Sequence, residues 1–286
     1  MGLHFKDVNH IYNGITKKDN FLALDHINLD INSKNEFITI VGKTGSGKSS
    51  LVMHMNALLL PSSGDVYIFD KLIKPKRTKN KNLNDIRKKV GLVFQFPEYQ
   101  LFEETVLKDV MFGPRNFKIS KEEALLKAKA ALELVKIDES FYDKSPLSLS
   151  GGQMRKVAIA GILAMEPDIL VLDEPTRGLD TVSEREILEI FYDIFKKTNK
   201  TIIMITHDMD IVYNYSTRII VMDKGKIVFN DNKDKLFKNN EYKNYSLEEP
   251  EILKLTKYLN NNLNLEINNV YNYEQLLNKL KEVNNG

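Results

Sequence analysis

The sequence predicts an α/β fold built on a largely parallel sheet. Short, continuous apolar runs alternate with segments of helical periodicity. A glycine-rich turn joins the first strong apolar run to a helix pattern, the junction that a strand-to-helix phosphate site requires.

In chain order, the stretch from Leu3 to Ile31, with Val66-Tyr67-Ile68-Phe69, reads as an antiparallel flank on one side of the molecule. The candidate core strands are Phe37-Ile38-Thr39-Ile40-Val41, Val90-Gly91-Leu92-Val93-Phe94, Ile169-Leu170-Val171-Leu172 and Thr201-Ile202-Ile203-Met204-Ile205. Each is apolar throughout instead of alternating, as a strand covered on both faces must be. Residues 96–165 carry several helix patterns and no strong strand, so they read as a helical subdomain inserted between two core strands. Within it, Ser120 and Glu123 form a capping-box pattern ahead of Ala124, Leu125, Ala128, Leu132 and Val135. Ile187, Leu188, Phe191, Ile194 and Phe195 recur at helical spacing further on. From Tyr245 the chain turns polar and Asn-rich, with helix-like patches at Glu251 to Leu259 and Tyr273 to Val283. Residues 1–244 are therefore expected to form the main domain. Residues 245–286 form a small C-terminal extension, too short to hold a core without docking.

Composition narrows the function. With 286 residues, 42% hydrophobic and 28% charged, the chain is long and apolar enough for a large packed domain, which excludes wholesale disorder. Lys+Arg 41 against Asp+Glu 39 leaves a net charge of +2, which argues against a dedicated nucleic-acid binder. The basic run Lys74 to Lys81 reads as a solvated loop. Zero cysteines exclude disulfides, thiolate metal sites and a cysteine nucleophile, and fit a reducing compartment. The N-terminus lacks a basic-then-apolar signal pattern. The longest apolar run, Val157 to Met165, falls far short of the roughly 18 residues that span a bilayer, so the chain is not expected to cross a membrane by itself.

Gly42-Lys43-Thr44-Gly45-Ser46-Gly47-Lys48-Ser49 matches the phosphate-loop pattern G-x-x-x-x-G-K-[ST], with Ser50 continuing into the helix. Its glycines let backbone N–H groups curl round phosphate oxygens, and the helix N-terminus adds a favourable dipole. Lys48 would neutralise the β- and γ-phosphates of a nucleotide, and the Ser49 hydroxyl would ligate Mg²⁺. This loop alone does not separate a kinase from a GTPase or a transport motor. Asp173 and Glu174 close the apolar run from Ile169, where Asp173 could hold Mg²⁺ and Glu174 could polarise an attacking water. By itself such an acidic pair serves equally as a helix cap or a turn.

Leu149-Ser150-Gly151-Gly152-Gln153, opening a helix pattern, resembles the signature motif of ABC ATPases. That resemblance covers about residues 3–230 and implies a P-loop ABC ATPase nucleotide-binding domain that binds ATP with Mg²⁺. In such a family Ser150, Gly151, Gly152 and Gln153 face the nucleotide held by a second subunit, so two chains pair head to tail around two ATP molecules. Gln95 stands at the Q-loop position and is expected to contact Mg²⁺ and water. His207 matches the switch histidine, and Gly178-Leu179-Asp180 matches the D-loop that crosses the dimer interface. Arg177 departs from the pattern, since the D-loop usually carries a small residue there. Tyr12 is the candidate to stack on adenine, in competition with Phe5 and Phe21.

A finer resemblance lies in Phe94-Gln95-Phe96-Pro97-Glu98-Tyr99-Gln100-Leu101-Phe102 and in Met154-Arg155-Lys156-Val157-Ala158-Ile159-Ala160. Both look like the ATPase subunits of energy-coupling-factor importers, which take up vitamins or transition-metal ions. It implies a peripheral protein on the cytoplasmic face of the membrane, with a transmembrane T component, a substrate-binding S component and a second ABC ATPase as partners. Thr44 and Met154-Arg155 lean toward a heterodimer. Glu98 is expected to bind a basic residue of the T component's coupling helix. Another ABC transport ATPase, and a soluble ABC ATPase acting on nucleic acid or ribosomes, are the competing readings.

Overall fold

The computed structural model describes residues 2–16, 19–75, 83–117, 119–238, 240–263 and 265–284. Most of the basic run, from residue 76 onward, lies outside them.

Two sheets form the body. The first is antiparallel, in the order β2 (Phe21–Ile31), β1 (Leu3–Tyr12), β4 (Ser63–Ile68) and β5 (Lys71–Ile73). Alternation along β1 turns Leu3, Phe5 and Val8 into the core. The second sheet runs β10 (Lys226–Asn232), β9 (Arg218–Asp223), β3 (Phe37–Val41), β8 (Thr201–Ile205), β7 (Ile169–Asp173) and β6 (Val90–Val93). All of its neighbours pair in parallel except β10, which returns antiparallel to β9. Every residue of β3, β6, β7 and β8 is buried, as the unbroken apolar runs required.

Register makes the carboxyl edge of this sheet the business end. Ile40 and Asp173 both pair with Ile205, Val41 pairs with Val221, and Leu172 pairs with Val93. The loops beginning at Gly42, Gln95, Glu174 and Thr206 therefore leave one edge together, where open α/β sheets bind their ligands.

Helices cover the sheets and build the insertion. Helix α1 (Lys48–Met55) follows β3 directly, and α2 (Leu83–Lys89) precedes β6. The insertion consists of α3 (Val106–Asn116), α4 (Lys121–Leu134) and α5 (Gly151–Leu163), with short 3-10 turns and, among its described residues, no strand. Ser120 caps α4 by accepting from the Glu123 N–H at 3.1 Å. The reciprocal half of the expected capping box is missing, because the Glu123 carboxylate turns instead toward Lys127, 3.6 Å away. Helix α6 (Thr181–Thr198) buries Ile187, Leu188, Phe191 and Ile194 against the sheet, and α7 (Met209–Tyr215) follows β8.

Helices α9 (Glu251–Leu263) and α10 (Tyr273–Asn284) pack onto the body, sharing a core with α7, α8 (Lys233–Lys238) and β9, in which Ile252, Val270 and Leu276 meet Met209, Val212 and Val221. Asp210 of α7 caps α9, accepting from the backbone N–H of Glu251 at 3.1 Å and of Ile252 at 3.2 Å.

Candidate functional site

The glycine-rich loop adopts the conformation its composition permits. Gly42, Gly45 and Gly47 have φ of 141°, 79° and 101°. A Cβ on Gly47 would fall 2.4 Å from the Ala23 carbonyl oxygen, so glycine is required there sterically as well as conformationally. Lys48 Nζ donates to the carbonyls of Gly42 at 2.7 Å and Lys43 at 2.9 Å, which draws the loop round the ammonium. Ser46 Oγ is buried without a hydrogen-bond partner among the described residues. An orphaned hydroxyl inside a nest of backbone N–H groups is what a phosphate-binding loop presents before its ligand.

Opposite this loop stand the acids. Asp173 ends β7 and accepts a hydrogen bond from the Ser49 side chain. Burial pushes the Asp173 carboxyl up, against the Ser49 bond and Lys48. Burial likewise pushes the Lys48 ammonium down, against the carboxylates of Glu174 and Asp173. The half-buried Lys48 and the buried Asp173 thus bring a positive and a negative group to the same end of the sheet. The Ser49 hydroxyl and the Asp173 carboxylate, already in contact, make a hard-oxygen donor pair suited to Mg²⁺.

Glu174 sits at φ 47°, and its N–H donates to Ile205 O at 3.1 Å. This left-handed turn aims its carboxylate into the cleft. Gln95 Nε2 donates to Glu174 Oε2 at 3.0 Å, so the amide's carbonyl oxygen is the end left for a cation. His207 Nδ1 lies 3.8 Å from Glu174 Oε1. Gly42, Thr44, Lys48, Glu174, Arg177 and His207 line one cleft of about 600 Å³.

Tyr12, the last residue of β1, is half-exposed, its hydroxyl 3.2 Å from Ser50 Oγ and its ring edge-on to His10 at 4.6 Å. Of its two competitors, Phe5 is 1% exposed and belongs to the core, while Phe21 pairs with Tyr12 across the strands and is also exposed.

The remaining predicted residues stand elsewhere. Ser150 caps α5 in a full capping box, its N–H donating to Gln153 Oε1 at 3.0 Å and its Oγ accepting from the Gln153 N–H at 3.3 Å. None of Ser150, Gly151, Gly152 and Gln153 lines the cleft of this chain's own phosphate loop. Gly151 faces open space. Asp180 caps α6, accepting from the N–H groups of Val182 and Ser183 at 3.0 Å each, and these bonds hold its carboxyl below the usual range.

One expectation is corrected. The sequence leads one to expect Glu98 to bind a basic residue of the T component, but both its oxygens are taken by Arg155 of the same chain. Arg155 Nε donates to Oε2 at 2.9 Å and Nη2 to Oε1 at 2.6 Å. Arg155 is 2% exposed, and its Nη1 also donates to the carbonyls of Pro175 at 3.2 Å and Arg177 at 2.8 Å. A buried guanidinium must be paired, and the carboxylate beside it is the strongest acceptor available. Sequence reading missed this node. Its signal is the helical phase of Arg155, one turn before the buried Ile159.

A fold with this edge, a phosphate loop and a capped signature helix defines an ATP-binding cassette. Residues 24–177 match the family model described as ABC transporter. The chain is 54% identical to the energy-coupling factor transporter ATP-binding protein EcfA2 of Enterococcus faecalis over 228 residues, 80% of this chain and 78% of the relative. Against EcfA2 of Bacillus subtilis it is 47% identical over 248 residues, 86% of this chain and 89% of the relative. Among solved structures, cbiO1 from Clostridium perfringens, part of the ABC transporter complex cbiONQ, superposes with a TM-score of 0.71 at 36% identity, covering 89% of this chain and 98% of that one. A dimeric ATP-binding cassette in a post-hydrolysis state bound to ADP and Pi superposes with a TM-score of 0.70 at 31% identity, covering 80% and 98%. The chain belongs to the ABC transporter family and, within it, to the energy-coupling factor transporter ATP-binding proteins, the ATPases of that type of importer.

Proposed function

We propose that this chain binds ATP with Mg²⁺ at the cleft between its phosphate loop and the ends of β7 and β8, and that a second ATPase subunit completes the site. The observation that carries this reading is a separation. Lys48, Glu174 and His207 line one cleft, while Ser150, Gly151, Gly152 and Gln153 are not part of its lining and Gly151 faces open space. Those residues form a second helix N-terminus able to receive a phosphate, and only another subunit's nucleotide can reach it. In this reading residues 42–50 cradle the triphosphate, and Tyr12 stacks on the adenine. Ser49, Asp173 and the carbonyl of Gln95 hold Mg²⁺, which neutralises the β- and γ-phosphate oxygens when bound. Glu174 orients the attacking water and accepts its proton, and His207 and Gln95 register the terminal phosphate. Ser150, Gly151, Gly152 and Gln153, with Asp180, meet the nucleotide of the opposite subunit.

ATP then holds two ATPase subunits together, and its hydrolysis lets them part, a bistable pair biased by ligand. A heterodimer with a second ABC ATPase is the favoured pairing. A transmembrane T component and a substrate-binding S component complete the importer, with vitamins or transition-metal ions as cargo. Among the described residues no helix is long and apolar enough to cross a membrane. In this reading the chain is peripheral, on the cytoplasmic face of the membrane. Residues 1–244 are the ATPase domain in this account, and residues 245–286 an extension available for dimer contact. Glu174→Gln tests the chemistry: ATP binding is retained and hydrolysis nearly abolished, whereas normal turnover would refute the role given to Glu174.

A further inference from the structure

The carboxylate of Glu174 carries a contact that ATP hydrolysis does not call for. Arg177, three residues on, directs Nη1 at Glu174 Oε2 at 2.8 Å, the oxygen that already accepts from Gln95 Nε2 at 3.0 Å. Two donors, one of them charged, occupy that oxygen, while among the described residues Oε1 has only His207, at 3.8 Å. A water handing a proton to Oε2 must first displace a guanidinium. The Glu174 side chain is 18% exposed and that of Arg177 is 54% exposed, so the clamp closes from the solvent side of the cleft, which Arg177 itself lines.

The base of the clamp is fixed. Arg155 Nη1 donates to Arg177 O at 2.8 Å and to Pro175 O at 3.2 Å, and Arg177 N–H donates to Glu174 O at 3.2 Å. Because Arg155 belongs to α5, the position of the signature helix sets where the Arg177 guanidinium can reach.

We propose that Arg177 is a positioning residue that restrains Glu174, limiting the rate at which bound ATP is hydrolysed and keeping turnover tied to transport. The inference rests on the role given to Glu174 above. Its test is ATPase and uptake in the purified transporter, with this chain among its partner subunits. Arg177→Ala raises kcat about 2- to 5-fold, the factor one half-exposed ion pair supplies, with KM for ATP unchanged and less substrate carried per ATP. Arg177→Lys, which keeps the charge, stays within about twofold of the natural protein. A purely structural arginine would not be rescued by lysine, and its loss to alanine would not raise kcat while leaving KM unchanged. A kcat for Arg177→Ala equal to or below the natural value overturns the clamp, provided the double variant with Glu174→Gln is inactive. Turnover in that double variant would overturn the role of Glu174 and the clamp with it.

Discussion

Replacing Arg155 with methionine should cost about 6 kcal/mol of folding stability, and the sum can be worked from its contacts. The guanidinium makes two bonds to Glu98 and two to the backbone carbonyls of Pro175 and Arg177, and lies 5.5 Å from the centroid of the Phe96 ring. Methionine keeps much of the volume and removes every donor. Glu98, with a side chain 12% exposed, is left as a buried charge without a partner, which costs about 3–5 kcal/mol. The two carbonyls each forfeit roughly another 1 kcal/mol unless water reaches them. For a chain of this size the loss lowers the melting temperature by roughly 10 °C. Urea unfolding of the isolated subunit, followed by far-ultraviolet circular dichroism, measures it. Glu98→Gln should cost less, about 2 kcal/mol, because an amide oxygen still accepts from the guanidinium. A Glu98→Leu, Arg155→Met double variant should recover at least about 2 kcal/mol relative to the sum of its single changes. Strict additivity, or an Arg155→Met loss below about 1 kcal/mol, would refute the reasoning, since a satisfied buried pair cannot lose one member that cheaply.

Two further outcomes follow from the nucleotide pocket and its floor. Tyr12→Ala should weaken ATP binding about 10-fold, as loss of one stacked base does, while Tyr12→Phe changes little; a larger loss from Phe21→Ala in nucleotide titrations would transfer the adenine to Phe21. His54, 1% exposed and edge-on to His10 at 4.7 Å, donates through Nδ1–H to Ser50 O, and burial pushes its pKa down to about 4. The unfolded chain takes up that proton near pH 6.5 and the folded one only near 4. This contribution is therefore intact above pH 6.5 and shrinks by on the order of 3 kcal/mol as the pH falls through that window. His54→Gln should flatten this part of the stability–pH curve, and an unchanged slope would contradict it.

Much of this was legible in the residues. Strands buried on both faces announce themselves as unbroken apolar runs, and β3, β7 and β8 lie where those runs lie. The phosphate loop and the signature are local patterns whose geometry is encoded within a few residues: glycines where φ is positive, and a serine and a glutamine three apart that cap each other. Long-range pairing is not encoded that way. Glu98 and Arg155 are 57 residues apart, and only the packed insertion brings them into contact. A Pro-fixed acidic turn with apolar neighbours reads the same whether its partner is another protein or a helix of the same chain. Arg177 was visible as a departure, yet its hold on Glu174 depends on a rotamer and on two carbonyl contacts that no periodicity reports. The same holds for Asp210, whose side chain reaches 41 residues along the chain to cap α9.

The account stands or falls on whether this subunit works within a membrane complex beside a second ATPase. Tagged chain recovered from detergent-solubilised native membranes, with every co-purifying protein identified, measures that directly. The account predicts a second ABC ATPase, a polytopic membrane protein and a small substrate-binding membrane protein in the eluate. Ribosomes, or no membrane protein at all, would contradict it.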